Sequence, residues 1–348
     1  MRQRRNFLTL LALAGAFGIV AAGSAAAEPV ADFFKGKTIT IVVGYSAGGT
    51  YDATARLLSQ YLGRHLPGKP SMIVKNMPGS GAIKAILHLA NVAPHDGTSL
   101  GMVARSYPID PAFNPEGAKY NPAAFNPIGS TSTEVSVAVT WNTSPVKTFD
   151  DLMTHEATFG ATGFRDDTGR FPMLTKRLTG AKIKVVTGYP GGNDVTMAME
   201  KREVEGRFGW SWGSIKSRAR PWLEQKKINI ILQMGMKKAS DLPNVPFIMD
   251  YARTPKDKAA LEFLFMPQAA AWPLIAPPDV PADRVAALRA AFQATMKDKE
   301  FLAKAAKARL DIEPVSGEEM AANNKRIAGF DHSIIERAKE LTAGNAAN

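Results

Sequence analysis

Short runs of β-branched residues alternate with segments of helical periodicity along most of this chain. The first run, residues 38–44, ends at a glycine, and apolar side chains then recur at helical spacing over about 50–65. A buried strand followed by a covering helix is the repeating unit of a parallel sheet. The unit recurs up to residue 103, and a second alternating block runs from 135 to 234. The pattern therefore predicts an α/β fold, and 348 residues suffice for two domains.

The predicted elements have the spacing of a doubly wound α/β protein. Five prolines between residues 108 and 127 predict a long irregular connection between the two blocks. The predicted strands are 38–44, 71–76, 99–103, 135–140, 158–161, 183–187, 206–210, 228–234 and 272–276. The predicted helices are 50–65, 82–91, 149–154, 168–179, 193–201, 282–296, 299–308 and 317–341.

The first 27 residues have the pattern of an export signal. Three arginines among the first five residues precede a sixteen-residue apolar stretch, which is shorter than a membrane span. A run of small residues then ends at Ala27, so we expect a signal peptide over 1–27, cleavage after Ala27 and a periplasmic mature protein. The pair Arg4-Arg5 is typical of twin-arginine export, and a general secretory signal fits equally well.

Composition and charge exclude several classes of function. The chain has no cysteine, which excludes disulfides, thiol nucleophiles and iron–sulfur ligation. The formal net charge is +11, but the basic residues are scattered, without the basic and aromatic clusters of nucleic-acid-binding proteins. The five histidines are not grouped at metal-ligand spacing. We therefore expect no nucleic acid, no metal and no cofactor, while the positive field favours anionic ligands.

A glycine loop over residues 44–52 joins the first predicted strand to the first predicted helix. Its glycines allow a sharp turn with uncovered amide hydrogens, and the helix N-terminus adds about half a positive charge. Such a loop can hold a carboxylate or a phosphate without a basic side chain. The glycines could equally serve the tight turn alone.

Two further glycine loops, 160–168 and 188–194, follow strands of the second block. Glycine loops at the carboxyl ends of strands in two α/β halves would face each other across a cleft. The two opposed loops, the second including Gly191, therefore predict a site for a ligand with two or more carboxylates. Arg165 could add a charged contact or remain solvated.

Several aromatic residues are candidates for the walls of this cleft. Tyr45, Tyr51, Phe164 and Tyr189 lie within the glycine loops, where burial in a core is difficult, so we expect them to face the cleft. Trp210 alternates with Trp212 on a predicted strand, so both would share one face. That face could form the floor of the cleft or part of the core.

Enzyme interpretations of the first loop are weaker. A nucleotide-binding phosphate loop would have lysine where this chain has Thr50. The run Gly44-Tyr45-Ser46-Ala47-Gly48 matches the G-x-S-x-G pattern of serine hydrolases, but no histidine is placed as the base on a loop behind a strand. We therefore expect no catalysis, and a secreted hydrolase using Ser46 is the alternative.

The loops and their flanking runs together resemble the Bug-type (TctC-like) solute receptors of tripartite tricarboxylate transporters. The resemblance covers nearly the whole mature chain. The runs that carry it are Gly48-Gly49-Thr50-Tyr51-Asp52, Asn76-Met77-Pro78-Gly79-Ser80-Gly81, Pro94-His95-Asp96-Gly97-Thr98, Gly188-Tyr189-Pro190-Gly191-Gly192, Glu203-Val204-Glu205-Gly206, Leu242-Pro243-Asn244-Val245-Pro246 and Ala276-Pro277-Pro278-Asp279-Val280-Pro281.

This resemblance implies a two-domain, type II-like periplasmic-binding-protein fold, with a mixed sheet flanked by helices in each domain and a ligand cleft between them. Domain 1 would comprise 28–134 plus 250–348, and domain 2 would comprise 135–249. The resemblance also implies a monomeric receptor that passes a small anionic carboxylate to membrane permease subunits and catalyses nothing. The positions it indicates for ligand binding are Ala47, Gly48, Gly49, Thr50, Asp52, Thr162, Gly163, Thr168 and Tyr189.

Two departures from the family pattern concern the ligand. Tyr51 stands where many relatives have a small residue, and Tyr189 is followed by Pro-Gly-Gly where relatives often have lysine and a hydroxyl residue. Because these positions adjoin the loops, an aromatic carboxylate is as open an option as a dicarboxylate or a tricarboxylate. A ligand-sensing partner of a sensor kinase is an alternative to a transport receptor.

Overall fold

The computed structural model of the protein describes residues 29–343, so the predicted signal peptide lies outside the described residues. Strands in this range form two sheets, each flanked by helices. In chain order the strands are β1 (Thr38–Val43), β2 (Ser71–Asn76), β3 (Ser99–Met102), β4 (Asn126–Ser130), β5 (Ser136–Trp141), β6 (Ala157–Ala161), β7 (Ile183–Thr187), β8 (Gly206–Ser211), β9 (Ile228–Met234), β10 (Pro273–Ala276) and β11 (Val315–Ser316).

The helices cover both sheets and connect their strands. Their bounds are α1 (Val30–Phe34), α2 (Thr50–His65), α3 (Ile83–Asn91), α4 (Asp110–Phe113), α5 (Asp151–Thr154), α6 (Asp167–Thr179), α7 (Gly192–Glu200), α8 (Trp212–Arg218), α9 (Arg220–Glu224), α10 (Pro255–Phe265), α11 (Ala282–Met296), α12 (Lys299–Lys307), α13 (Gly317–Ala328) and α14 (His332–Thr342).

The first sheet has the order β11-β4-β10-β3-β1-β2. Strand β1 pairs in parallel with β2 and β3, whereas β10 runs antiparallel to β3 and β4. Ile39 and Ile41 of β1 pack with Leu58 of α2, and Val42 packs on the opposite face with Ile86 of α3. Helices therefore cover β1 on both faces, as its continuous apolar sequence predicted.

The second sheet has the order β7-β6-β8-β5-β9. Strand β6 is parallel to β7 and β8, and β5 is antiparallel to β8 and β9. Each sheet is mixed and flanked by helices, which confirms the predicted α/β architecture. The carboxyl ends of β1, β6 and β7 carry the three glycine loops, so the topology directs these loops toward a common region.

Most of the predicted elements are confirmed within one or two residues, and the differences are elements that the sequence did not predict and one predicted helix that is two. The connection 108–127 is largely irregular, with the short helix α4 before β4 begins at Asn126, whereas helices α1, α8, α9 and α10 and strands β4 and β11 had no counterpart in the prediction. The single helix predicted over 317–341 is two helices, because the side chain of Asp331 caps a new helix by accepting from the backbone N–H of Ser333.

The C-terminal helices divide between the two sheets. Helices α11 and α12 contact α2, on the first sheet. Helix α14 packs against α6 and α10, and Leu264 and Leu341 lie in the same core cluster as Phe159 of β6 and Leu232 of β9. We therefore propose that α10 and α14 belong to the second domain, which then extends beyond the interval 135–249.

Candidate ligand-binding cleft

The first glycine loop is shaped by the carboxylate of Asp52. The backbone N–H of Gly48 donates to Asp52 at 2.9 Å, Nε of Arg56 donates to it at 2.9 Å, and the amide of Asn76 donates to it at 2.9 Å. Burial alone would raise the pKa of Asp52, but these hydrogen bonds outweigh burial and hold that pKa below its usual value. Gly48 has φ of +87°, so this turn requires glycine, whereas Gly49 caps α2 at φ of −74°.

Asp166 organises the loop between β6 and α6 in the second domain. Its carboxylate caps α6 by accepting from the backbone N–H of Thr168 at 3.1 Å, and it also accepts from the hydroxyls of Thr162 and Thr168. The hydroxyl of Tyr45, in the first domain, donates to the same carboxylate at 3.3 Å. Burial raises the pKa of Asp166 despite these donors.

The glycine loops of the two domains touch each other directly. A Cβ on Gly191 would collide with the hydroxyl of Ser46, so glycine permits this close approach. The two domains are therefore closed on each other at the predicted site. The hydrogen bonds across the contact run from Ser46 Oγ to Asp194 at 2.6 Å, from Asn193 Nδ2 to the Ala47 carbonyl at 3.1 Å, from Ser214 Oγ to Thr50 Oγ1 at 2.9 Å and from Arg218 Nη2 to the Gly48 carbonyl at 2.6 Å.

A cavity of about 290 Å³ lies between the domains, bounded by these loops. This volume is near the lower end of the range for ligand pockets and suits a small guest. Backbone and side chains of both domains line it, which places residues from two separate parts of the chain around one space. The predicted site residues in its lining are Tyr45, Gly48, Gly49, Thr50, Tyr51, Thr162, Thr168 and Trp210.

The remaining predicted site residues lie outside the lining of this cavity. Asp52 is occupied in shaping the first loop, while Ala47 and Gly191 take part in the contact between the loops. Gly163, Phe164 and Tyr189 line a separate cleft together with Arg165. In the structure, these six residues therefore shape the first loop, form the contact between the domains or line the separate cleft.

The two tryptophans predicted to share a face of one strand line two different pockets. Strand β8 ends at Ser211, so Trp210 lies on the strand and Trp212 begins α8. Trp210 lines the cavity between the domains. Trp212 lines a neighbouring pocket, where its indole N–H donates to Asp241 at 2.8 Å. Both side chains nevertheless belong to one buried apolar cluster of the second domain, although the chain changes from strand to helix between them.

A buried ion pair in the lining of the cavity joins the two domains. Arg105, after β3, donates through Nε to the carboxylate of Asp167 at 2.5 Å and through Nη2 to the hydroxyl of Ser136 at 2.8 Å. Its Nη1 is 4.0 Å from the carboxylate of Glu134, in the segment that links β4 to β5. Closure therefore brings a first-domain cation onto a second-domain anion.

Arg207, on β8, is a buried cavity residue that sequence analysis missed. It is 6% exposed, one guanidinium nitrogen donates to the Gly192 carbonyl at 2.6 Å, and its guanidinium carbon lies 4.7 Å from the centre of the Trp210 ring. Among the described residues it forms no ion pair, and its Nε has no hydrogen-bond partner. Burial lowers the pKa of Arg207 to about 10, so the group is charged at neutral pH. An arginine within an apolar strand pattern was the available signal.

The hydroxyl of Ser46 is held in the contact between the domains. It donates to Asp194 at 2.6 Å and does not line the cavity. No histidine hydrogen-bonds to it within the described range. The nucleophile–base pair that the hydrolase alternative requires is therefore not formed here.

The described residues offer neither a metal-binding cluster nor a membrane-spanning helix. Between residues 29 and 343, no group of three or more histidine or acidic side chains is placed to hold a metal ion. Within the same range, none of the helices combines the length and the apolar character needed to cross a bilayer.

Glu134 should make folding stability depend on pH. Its side chain is 4% exposed, and burial raises its pKa to about 7, against the lowering effect of Arg105. In the unfolded chain Glu134 loses its proton at lower pH, so its stabilising contribution is present below about pH 4.5 and is lost as the pH rises toward 7. The full effect is about 3 kcal/mol. Urea unfolding measures the free energy of unfolding of both proteins at pH 4.5 and at pH 7.5. As the pH rises from 4.5 to 7.5, Glu134→Gln should become more stable relative to wild type. An unchanged difference between the two proteins would contradict the assignment.

Two α/β domains that close over a shared cavity define this chain as having a periplasmic-binding-protein fold. No family model matches the sequence. A protein of Cupriavidus necator, described as the UPF0065 protein in the gbd 5' region, is 24% identical over 362 residues, with 97% of each chain covered.

Several solved structures have a similar fold over most of the chain. Periplasmic binding protein BugD has a TM-score of 0.69 at 17% identity, covering 88% of this chain and 97% of its own. MatC from Rhodopseudomonas palustris, solved with bound malate, has a TM-score of 0.67 at 19% identity, covering 88% and 99%. A further R. palustris protein, solved with adipate, has a TM-score of 0.67 at 20% identity, covering 88% and 96%. The resemblance to Bug-type (TctC-like) solute-binding proteins is confirmed, and this chain has their fold.

Proposed function

We propose that this protein is an extracytoplasmic solute-binding receptor that captures a small carboxylate-bearing molecule for a tripartite tricarboxylate-type transporter. The observation that carries the proposal is the charged guanidinium of Arg207, buried without an ion pair in a cavity between two closed domains. Binding of malate and of adipate by proteins of the same fold supports this ligand class. The basic and apolar leader pattern supports export to the periplasm.

The mechanism we propose is closure of the two domains around the anion. The N-terminus of α2 and the loop before it line the cavity from the first domain, and Gly192 and Asn193, at the start of α7, line it from the second. Helix N-termini present unpaired N–H groups and a partial positive charge, so both favour a carboxylate. Closure excludes water and strengthens each of these interactions. The permease would then recognise the closed form and receive the solute on reopening.

Acid and amide versions of one compound provide the first test of this function. We expect a carboxylate to raise the melting temperature by about 5 °C or more at 100 times its dissociation constant, because it binds only the folded protein. The corresponding amide should leave the melting temperature unchanged. Thermal-shift screening of aliphatic and aromatic acids beside their amides, followed by calorimetry, makes the measurement. Stabilisation by neutral or cationic compounds, with none by any acid, would contradict the proposal.

A further inference from the structure

Aromatic rings of both domains line the cavity. In the first domain, Tyr45 and Tyr51 have ring centres 4.6 Å apart, and Trp272 meets Tyr51 edge-on at 4.7 Å. In the second domain, Trp210 and Trp222 meet edge-on at 6.1 Å. All five residues belong to the lining of the same cavity. Because aromatic faces contact flat apolar rings favourably, such walls suit a planar aromatic guest better than a highly hydrated one.

Among the charged side chains of the lining, one buried cation is left to pair with a guest carboxylate. Arg105 is already paired with Asp167 at 2.5 Å. Arg218 lies at the exposed edge, where it donates to the Gly48 carbonyl. Arg207 is therefore the buried cation of the lining that has no carboxylate partner among the described residues. A second buried guest carboxylate would face Asp166 and Asp167 without a free cation, and burying an unpaired charge is costly.

Arg207 is also positioned to hold a carboxylate beside a ring. Its guanidinium group belongs to the cavity lining, its buried Nε has no hydrogen-bond partner, and its guanidinium carbon lies 4.7 Å from the centre of the Trp210 ring. An arginine fork binds a carboxylate in a fixed orientation, and stacking on Trp210 restrains the fork itself. A carboxylate bound there would leave the rest of the guest among the aromatic side chains.

We propose, on the basis of the function proposed above, that the ligand is a planar aromatic monocarboxylate, with its carboxylate on Arg207 and its ring between the aromatic walls of the two domains. This assignment departs from the ligand with two or more carboxylates that the opposed glycine loops alone suggested. The distinguishing observation is the single unpaired buried cation.

The test compares three groups of probes by calorimetry on the mature protein. The groups are benzoate, 4-hydroxybenzoate and phenylacetate; malate, adipate and citrate; and benzamide. We expect the tightest aromatic acid to bind at least 10-fold more strongly than any aliphatic acid, and benzamide to give no measurable binding. Tight binding of malate, adipate or citrate with weak binding of the aromatic acids would overturn this inference and leave the receptor function standing. Binding of no acid would overturn both.

Variants then identify the anchor and the walls. Arg207→Gln should weaken binding of the tightest aromatic acid by about 10- to 100-fold, since it removes a charged hydrogen bond. Arg207→Lys should weaken binding of the same acid less than Arg207→Gln does, because lysine keeps the positive charge and lacks only the two-pronged geometry of the guanidinium. Trp222→Leu, at a partly exposed position, provides a second variant and should weaken aromatic acids about 10-fold, within the range for an aromatic contact.

Arg220→Gln is the matched control, because Arg220 forms an exposed pair with Glu224 on the neighbouring helix α9. It should leave affinity unchanged. Circular dichroism and the melting temperature establish that each variant is folded. Unchanged affinity in folded Arg207→Gln and Trp222→Leu would overturn the assignment of both the anchor and the wall.

Discussion

Arg105→Ala should reduce ligand affinity by at least 100-fold while leaving the two domains folded. In the closed form the substitution leaves Asp167 buried without its cation, and breaking a buried pair costs about 3–5 kcal/mol. The protein can relieve this cost by opening, because Arg105 and Asp167 lie in different domains and opening hydrates the carboxylate. The apparent affinity for the ligand is the affinity of the closed form multiplied by the fraction of molecules that can close, so it falls as that fraction falls. Calorimetry measures the affinity, and small-angle X-ray scattering should show a larger radius of gyration.

A double-mutant cycle separates this effect from a loss of local packing. Asp167→Ala should also weaken binding, and the double variant Arg105→Ala/Asp167→Ala should be less impaired than the two single effects summed, because neither charge is then left alone. Arg220→Ala, in the exposed pair with Glu224, serves as the control and should change affinity little. Strictly additive effects, or wild-type affinity in Arg105→Ala, would show that the pair does not stabilise closure.

Asp110→Ala should lower the free energy of unfolding by about 3–5 kcal/mol, because it leaves the guanidinium of Arg170 buried without its partner. Their side chains are 1% and 2% exposed and meet at 3.0 Å. Arg170 also lies against the ring of Phe113, so it has little room to reach water. Urea unfolding followed by circular dichroism measures the change, and the melting temperature should fall by about 10 °C.

The matched controls for Asp110→Ala test whether the uncompensated charge is the cause. Asp110→Leu combined with Arg170→Met removes both charges and should cost less than Asp110→Ala alone. Glu224→Ala removes the acid of an exposed pair and should change stability by less than about 1 kcal/mol. If the free energy of unfolding of Asp110→Ala is within about 1 kcal/mol of the wild-type value, the pair does not stabilise the connection between β3 and β4 to the expected extent.

The glycine loops show how far sequence reasoning reached into the site. Eight of the predicted residues line the cavity, because strand topology directs loops at carboxyl strand ends to one region. Asp52 was expected to contact the ligand, but its carboxylate is occupied by Gly48, Arg56 and Asn76. The hydrogen-bond partners of a carboxylate include residues distant in sequence, such as Asn76 here. The spacing of residues along the chain does not predict such partners.

Arg207 and Asp166 show where sequence reasoning stopped. Asp166 lies just before a predicted helix, where a capping role is ordinary, and its contact with Tyr45 arises from closure of the domains. Arg207 lies in an apolar strand, and only the folded structure shows that it is buried in the cavity lining without a salt bridge. Both are functional candidates because of what surrounds them, and those surroundings come from both domains.

The sequence by itself determined the order of strands and helices, the α/β class and the positions of the glycine loops. These features depend on periodicity and on local backbone freedom, which act between near neighbours in the chain. The tertiary structure alone decided the charge balance of the cavity, the pairing of Arg105 with Asp167 and the burial of Arg207 without a salt bridge. Electrostatic interactions and desolvation depend on distance in space and on exclusion of water, and both arise only once the chain has folded and the domains have closed.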